Sequence, residues 1–221
     1  MKAPPQPLAG VFFDLDGTLV DSARDMHDAL AALCRERGLE TPTFEAVRET
    51  VSRGARAVLR CAVGSDEARV DAVLPRFLEL YVATGMAHTR AFAGIEDMLA
   101  ALEARGVRWG VVSNKAGSLV ALVMTKLGFD RRAAAVVGGD TLAHRKPDPE
   151  PVLHACMLAG VKPAQCVYVG DDPRDIQAGR AAGLYTVAAA WGYLDGADPR
   201  DWQPDAISGD PRQLAALLDR A

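Results

Sequence analysis

Gly10-Val11-Phe12-Phe13-Asp14-Leu15-Asp16-Gly17-Thr18 is the stretch on which the reading of this chain turns. A short apolar run closed by an aspartate, a second aspartate two residues on, then Gly-Thr, predicts a buried strand stopping at a reactive turn. On a strand, side chains at i and i+2 share a direction. Asp14 and Asp16 therefore face the same way and repel each other unless a cation or a proton intervenes. Such a pair is expensive to keep for structure alone. Gly17 lets the chain turn tightly away from the strand.

Outward from this stretch the pattern has two textures. Apolar residues recur at helical spacing over 23–38, 44–51, 53–63 and 66–84, with no clear strand among them. From residue 88 onward strands and helices alternate instead. Strands are predicted over 107–112, 135–137, 166–169 and 184–188, and helices over 95–105, 119–127, 149–159, 176–182 and 213–218. Asp148 is the expected N-cap of the third of these helices, with Pro149 at its first position. Alternation of this kind means right-handed βαβ units and a parallel sheet. The expected architecture is α/β, a doubly wound parallel-sheet core formed by 1–18 and 88–221, interrupted by an all-helical insert over 19–87.

Composition narrows the classes. The chain has 221 residues, enough for one large domain or one domain with an insertion. A formal net charge of −4 gives no general attraction to nucleic acid or anionic membrane. Cys34, Cys61, Cys156 and Cys166 lie far apart, without C-x-x-C or zinc spacing, and are expected to be buried free thiols. The start, Met1-Lys2-Ala3-Pro4-Pro5-Gln6-Pro7, lacks the apolar core of a signal peptide. No apolar stretch approaches the ~20 residues that span a bilayer. A cytoplasmic protein acting on a small molecule, as a monomer or homodimer, is expected.

The polar residues that stand out all fall where strands end, the place at which open α/β sheets bind ligands. Asp14 and Asp16 follow the first strand, Ser113 and Asn114 the second, and Asp171 and Asp172 the fourth. Lys146, in His144-Arg145-Lys146-Pro147-Asp148-Pro149, sits in the loop after the third. Asp14, Asp16, Asp171 and Asp175 bring up to four negative charges together, a repulsion that Mg²⁺ with its preference for oxygen ligands relieves. A lysine, a hydroxyl and a helix N-terminus remain to hold an anion beside that ion. Together they describe phosphoryl transfer, where positioning and charge neutralisation do most of the catalysis.

These residues resemble a known family. Phe13-Asp14-Leu15-Asp16-Gly17-Thr18-Leu19-Val20-Asp21-Ser22 is similar to the first motif of the haloacid dehalogenase superfamily. Val112-Ser113-Asn114, Lys146-Pro147-Asp148 and Gly170-Asp171-Asp172-Pro173-Arg174-Asp175 match its second, third and fourth motifs in order. The resemblance implies that Asp14 attacks phosphorus to form an aspartyl-phosphate, and that Asp16 is the general acid and base. It implies that Ser113 and Lys146 hold the phosphoryl group, with Thr18 and Asn114 among the substrate-binding residues. Asp14, the Asp16 carbonyl, Asp171 and Asp175 are the implied Mg²⁺ ligands. Asp172 has no implied role and reads as a solvated turn residue. An acid at position 16 sets the chain apart from the dehalogenating members, and the helical insert looks like the family's mobile cap.

Substrate features are fewer. Gly138-Gly139-Asp140-Thr141-Leu142 with Arg145-Lys146-Pro147-Asp148-Pro149 is similar to phosphoglycolate phosphatases. Val51-Ser52-Arg53-Gly54-Ala55-Arg56-Ala57 and His88-Thr89-Arg90 are also similar to N-acetylmuramic acid 6-phosphate phosphatases. Both substrates carry a carboxylate, which Arg53 and Arg56 of the insert could meet. The resemblance favours 2-phosphoglycolate, with the muramic acid ester next and a β-phosphoglucomutase-type phosphomutase third. Trp191-Gly192-Tyr193, after the fifth strand, is expected to seal the sheet edge, with a flank of the cleft as the alternative.

Overall fold

Apolar residues on both sides of a strand need cover on both faces, and the chain supplies it by packing helices against each face of one sheet. The computed structural model describes residues 3–219. Met1, Lys2, Arg220 and Ala221, where the expected core and N-terminal segment begin and the core ends, lie outside the described residues. Along the chain run β1 (Gly10–Phe13), β2 (Val20–Asp21), α1 (Ala23–Arg37), α2 (Phe44–Arg48), a 3₁₀ turn (Val51–Arg53), α3 (Ala55–Val63) and α4 (Glu67–Ala83). There follow β3 (Arg90–Ala91), α5 (Ile95–Ala104), β4 (Arg108–Val112), α6 (Gly117–Lys126), β5 (Ala135–Val137) and α7 (Glu150–Ala159). The chain continues through β6 (Cys166–Gly170), α8 (Pro173–Ala181), β7 (Tyr185–Ala189), β8 (Ala206–Ser208) and α9 (Pro211–Leu218).

Six strands form a parallel sheet in the order β5-β4-β1-β6-β7-β8. β1 is the middle of the winding: the chain runs from it outward to β4 and β5, then crosses back to β6 and on to β8. Strand order therefore reverses beside β1, and a crevice opens there above the carboxyl ends. Phe12, Val112, Tyr168, Val152 and Cys156 fill one face of the sheet. Val11, Phe13, Val111, Val167 and Val169 fill the other and join the apolar residues of α1, α4 and α5.

β2 and β3 pair antiparallel, Val20 with Ala91 and Asp21 with Arg90. The chain enters the block of α1–α4 through one arm of this ribbon and leaves through the other. Neither arm is anticipated by the sequence pattern, and neither is β8. α7 starts one residue later than expected, at Glu150, with Pro149 in the cap position. Asp148 still caps it locally, its Oδ1 accepting from the Glu150 amide at 2.9 Å. Cys34, Cys156 and Cys166 are buried free thiols, whereas Cys61 is half-buried. Among the described residues no helix is long and apolar enough to cross a membrane.

Candidate active site

The turn after β1 is held by its own backbone. Asp14 N–H donates to the Val169 carbonyl at 2.9 Å, extending the β1–β6 ladder by one rung. Gly17 N–H then closes back on the Val20 carbonyl at 2.9 Å, and the Leu19 and Val20 amides donate to Leu15 at 3.0 and 2.9 Å. Gly17 has φ +86°, and a Cβ there would collide with the Asp171 carboxylate. No other residue could make this turn against that neighbour.

The turn, the end of β6 and the start of α8 bring Asp14, Asp171 and Asp175 together, with one oxygen of each within 4.8 Å of the others. Lys146 Nζ, buried beneath them, lies 2.9 Å from Asp14 Oδ1 and 2.7 Å from Asp175 Oδ1, and donates to the Val112 carbonyl at 2.7 Å. One ammonium meets two of the three carboxylates. Burial, then Asp14 and Asp175, push the Asp171 carboxyl well above the usual carboxylate range. Burial pushes Asp175 up to about 7, Lys146 opposing and Asp14 and Asp172 adding to the rise. Burial opposes the charge on Lys146, but Asp14 and Asp175 outweigh it and hold the ammonium well above its ordinary value. Asp14 Oδ1 is buried and ion-paired to Lys146 without an aligned hydrogen bond. Clustered, under-neutralised carboxylate oxygens are a donor set that fits a hard divalent cation.

A cavity of about 540 Å³ opens over this cluster, lined by Asp14, Asp16, Ser113, Asn114, Lys146 and Asp175 from the core and by Arg53 and Arg56 from the insert. Asn114 ties two of the loops together, its Nδ2 donating to the Lys146 carbonyl at 2.9 Å. Thr18 is fully buried outside the lining, and its hydroxyl donates to Asp171 Oδ1 at 2.8 Å. Arg53 pairs with Asp195, and Arg56 with Glu67 and Asp71. The arrangement thus gathers the core motif residues at one point and places the two arginines along the rim with acidic partners of their own.

Two sequence expectations change. Asp172 is the buried N-cap of α8 rather than a solvated turn residue. Its carboxylate accepts from the Arg174 amide at 2.9 Å and pairs with the Arg174 guanidinium at 2.7 Å, while its own N–H donates to Asp175 at 3.1 Å. Trp191-Gly192-Tyr193 clasps the turn after β1 instead of sealing a sheet edge. Trp191 Nε1 donates to the Thr18 carbonyl at 3.1 Å and the Tyr193 amide to Asp171 Oδ2 at 2.8 Å. The Tyr193 hydroxyl accepts from the Ser22 amide at 2.9 Å and donates to Asp21 at 2.7 Å.

Three more side chains join the site without having been read from the sequence. Ser52, in the 3₁₀ turn of the insert, donates its hydroxyl to Asp171 Oδ2 at 2.5 Å. Lys115 Nζ lies 3.1 and 3.0 Å from the two oxygens of Asp16 and 3.0 Å from the hydroxyl of Tyr81 on α4. Burial opposes the Lys115 charge, but Asp16 and Tyr81 hold the ammonium above its ordinary value. The signal for Lys115 lay in plain view, a lysine immediately after Ser113-Asn114 at a strand's carboxyl end.

Residues 11–189 match the family model of the haloacid dehalogenase-like hydrolases, and the chain belongs to that family. Over 206 residues it is 48% identical to a phosphoglycolate phosphatase of Xanthomonas campestris pv. campestris, covering 92% of this chain and 93% of that one. It is 40% identical over 217 residues to an N-acetylmuramic acid 6-phosphate phosphatase of Pseudomonas aeruginosa, covering 97% and 96%. A crystal structure from Haemophilus somnus, titled a predicted phosphoglycolate phosphatase, superposes with a TM-score of 0.85 at 27% identity, covering 95% and 97%. Family and relatives together make this chain a phosphatase.

Proposed function

We propose that the phosphatase depends on Mg²⁺ and hydrolyses a small carboxylated phosphate monoester through an aspartyl-phosphate on Asp14, with 2-phosphoglycolate as the first candidate. One observation carries the reading: Asp14 faces the cavity between the Lys146 ammonium and two further buried carboxylates, Asp171 and Asp175, while Asp16 stands beside it. Asp14 Oδ attacks phosphorus and the P–O bond to the alcohol breaks. The departing oxygen takes a proton from Asp16. Asp16 then accepts a proton from the water that attacks the acyl phosphate, and Asp14 and inorganic phosphate are released. Ser113 and Lys146 hold the phosphoryl oxygens. Asp14, the Asp16 carbonyl, Asp171 and Asp175 would hold the metal ion, which when bound supplies positive charge against the phosphoryl group. Thr18 acts through Asp171, which it orients.

The insert is proposed as a cap over residues 19–87, closing on the core of 1–18 and 88–221, and the β2–β3 ribbon supports a hinge at that division. The expected cytoplasmic location and a monomeric or homodimeric state belong to the same proposal. A second reading, N-acetylmuramic acid 6-phosphate, is favoured by the cavity: about 540 Å³ is in the range that encloses drug-sized ligands, and Arg53 and Arg56 stand along its rim. Phosphate release from both esters decides between them. Turnover of 2-phosphoglycolate with the higher kcat/KM, lost on EDTA treatment and restored by Mg²⁺, is the expected result. Asp14→Asn should trap no labelled phosphoenzyme. Metal-independent turnover, a label elsewhere, or isomerised phosphosugar without phosphate release would each overturn the scheme.

A further inference from the structure

Six cationic side chains line the cavity: Arg53, Arg56, Lys115, Arg145, Lys146 and Arg174. Lys146 is committed to Asp14, Asp175 and the Val112 carbonyl. Arg174 is held by Asp172 and the Ser52 carbonyl. Arg53 and Arg56 pair with acids at the rim, and Arg145 is exposed. Lys115 differs from all of these. Its side chain is only 6% exposed, and its partners are the proposed acid–base, Asp16, and a tyrosine of the insert, Tyr81, over whose ring the ammonium sits 4.6 Å from the centroid.

We propose that Lys115 is a specificity residue that binds a carboxylate on the carbon next to the ester oxygen, exchanging Asp16 for that carboxylate when substrate enters. The assignment rests on the phosphatase reading above and narrows its substrate class to phosphate esters of 2-hydroxy acids.

A buried ammonium requires an anion beside it. Asp16 serves as that anion here, but to act on the ester oxygen it must come within roughly 2.6–3.2 Å of that oxygen. The ammonium then needs another partner. In an ester of a 2-hydroxy acid, one carbon separates the ester oxygen from the carboxylate carbon, over bonds of about 1.5 Å each. Lys115 Nζ is 3.0 Å from the nearer Asp16 oxygen. A carboxylate so close to the ester oxygen falls within its reach, whereas one on the far side of a sugar ring does not. Tyr81 sits on α4, so one of the ammonium's two partners is in place only with the insert packed over the core.

The test is a three-substrate comparison of kcat/KM on metal-replete enzyme: 2-phosphoglycolate, N-acetylmuramic acid 6-phosphate and p-nitrophenyl phosphate. Lys115→Met should lower kcat/KM for 2-phosphoglycolate by about 30-fold or more beyond its loss on either other ester, the scale expected on removing one partner of a buried charge pair. Lys115→Arg, which keeps the charge, should retain the preference. Equal losses on all three esters would reduce Lys115 to a support for Asp16 and overturn the assignment alone. Should Lys115→Met not fold, wild-type enzyme still decides: a strong preference for 2-phosphoglycolate over 2-hydroxyethyl phosphate, which carries a hydroxymethyl group in place of the carboxylate, supports the assignment, and parity overturns it. Wild-type enzyme inert towards both carboxylated esters overturns the substrate reading and this assignment with it.

Discussion

Asp171 accepts hydrogen bonds from the Thr18 hydroxyl, the Ser52 hydroxyl and the Tyr193 amide, yet its carboxyl still titrates high. Donors favour the charged form, while burial and two neighbouring carboxylates disfavour it, and the latter win. The donors therefore orient the group more than they ionise it. Partners that orient metal ligands typically carry 10–100-fold in metal affinity. Thr18→Val, nearly isosteric and lacking the donor, should raise the Mg²⁺ concentration needed for half-maximal turnover about tenfold. Titrating metal back into chelated enzyme measures this. An unchanged midpoint would mean that Ser52 and Tyr193 fix Asp171 without help. Thr18 lies in the motif, but its fully buried hydroxyl meets Asp171, the proposed ligand, and stands outside the cavity lining.

α8 begins on a loop crowded by acids, and Asp172 resolves the crowding by capping the helix and holding Arg174. Asp172→Ala should cost about 1 kcal/mol, the usual value of an N-cap side chain, read as a lower urea midpoint at constant slope. Asp172→Ser, which keeps a cap oxygen, should recover most of it; no recovery would assign the loss to the Arg174 pair instead. The sequence pattern locates α8 over 176–182 but places its start three residues late, since a Pro-Arg-Asp first turn carries no apolar period. Parallel strands β1, β4, β5, β6 and β7 were legible as continuous apolar runs. β2 and β3 were not, since two residues are too few for any periodicity, and neither was β8, since Ala206-Ile207-Ser208 is no continuous apolar run. The four motif loops were legible because chemistry concentrates in their residue types. Ser52 and Tyr81 escaped because what makes them matter is a contact between insert and core, invisible until the two are folded together; Lys115 did carry a signal, its place directly after Ser113-Asn114 at a strand's carboxyl end.

At the scale of the molecule, that contact joins docking to charge. Ser52 of the insert donates to Asp171, Arg174 of the core reaches the Ser52 carbonyl at 2.9 Å, and Asp195 pairs with Arg53 while its amide donates to Glu49 at 3.1 Å. The insert thus rests partly on a cluster in which the Asp171 and Asp175 carboxyls are raised above their unfolded values, Asp175 to about 7. A group raised in the folded state binds more protons there than in the unfolded chain, so stability declines as pH climbs between the two values. An ordinary aspartate titrates near 3.9, so for Asp175 the decline runs from about pH 4 to about pH 7 and is complete above it. A divalent cation bound only by the native state opposes the loss, and does so most where its ligands are already deprotonated. Metal-free protein should therefore show a higher Tm at about pH 5.5 than at about pH 8, and saturating Mg²⁺ should raise the Tm more at the higher pH. Asp175→Asn, which removes one of the raised carboxyls, should flatten the metal-free slope. A Mg²⁺ increment of equal size at both pH values would show that the cluster neither stores the repulsion nor binds the ion.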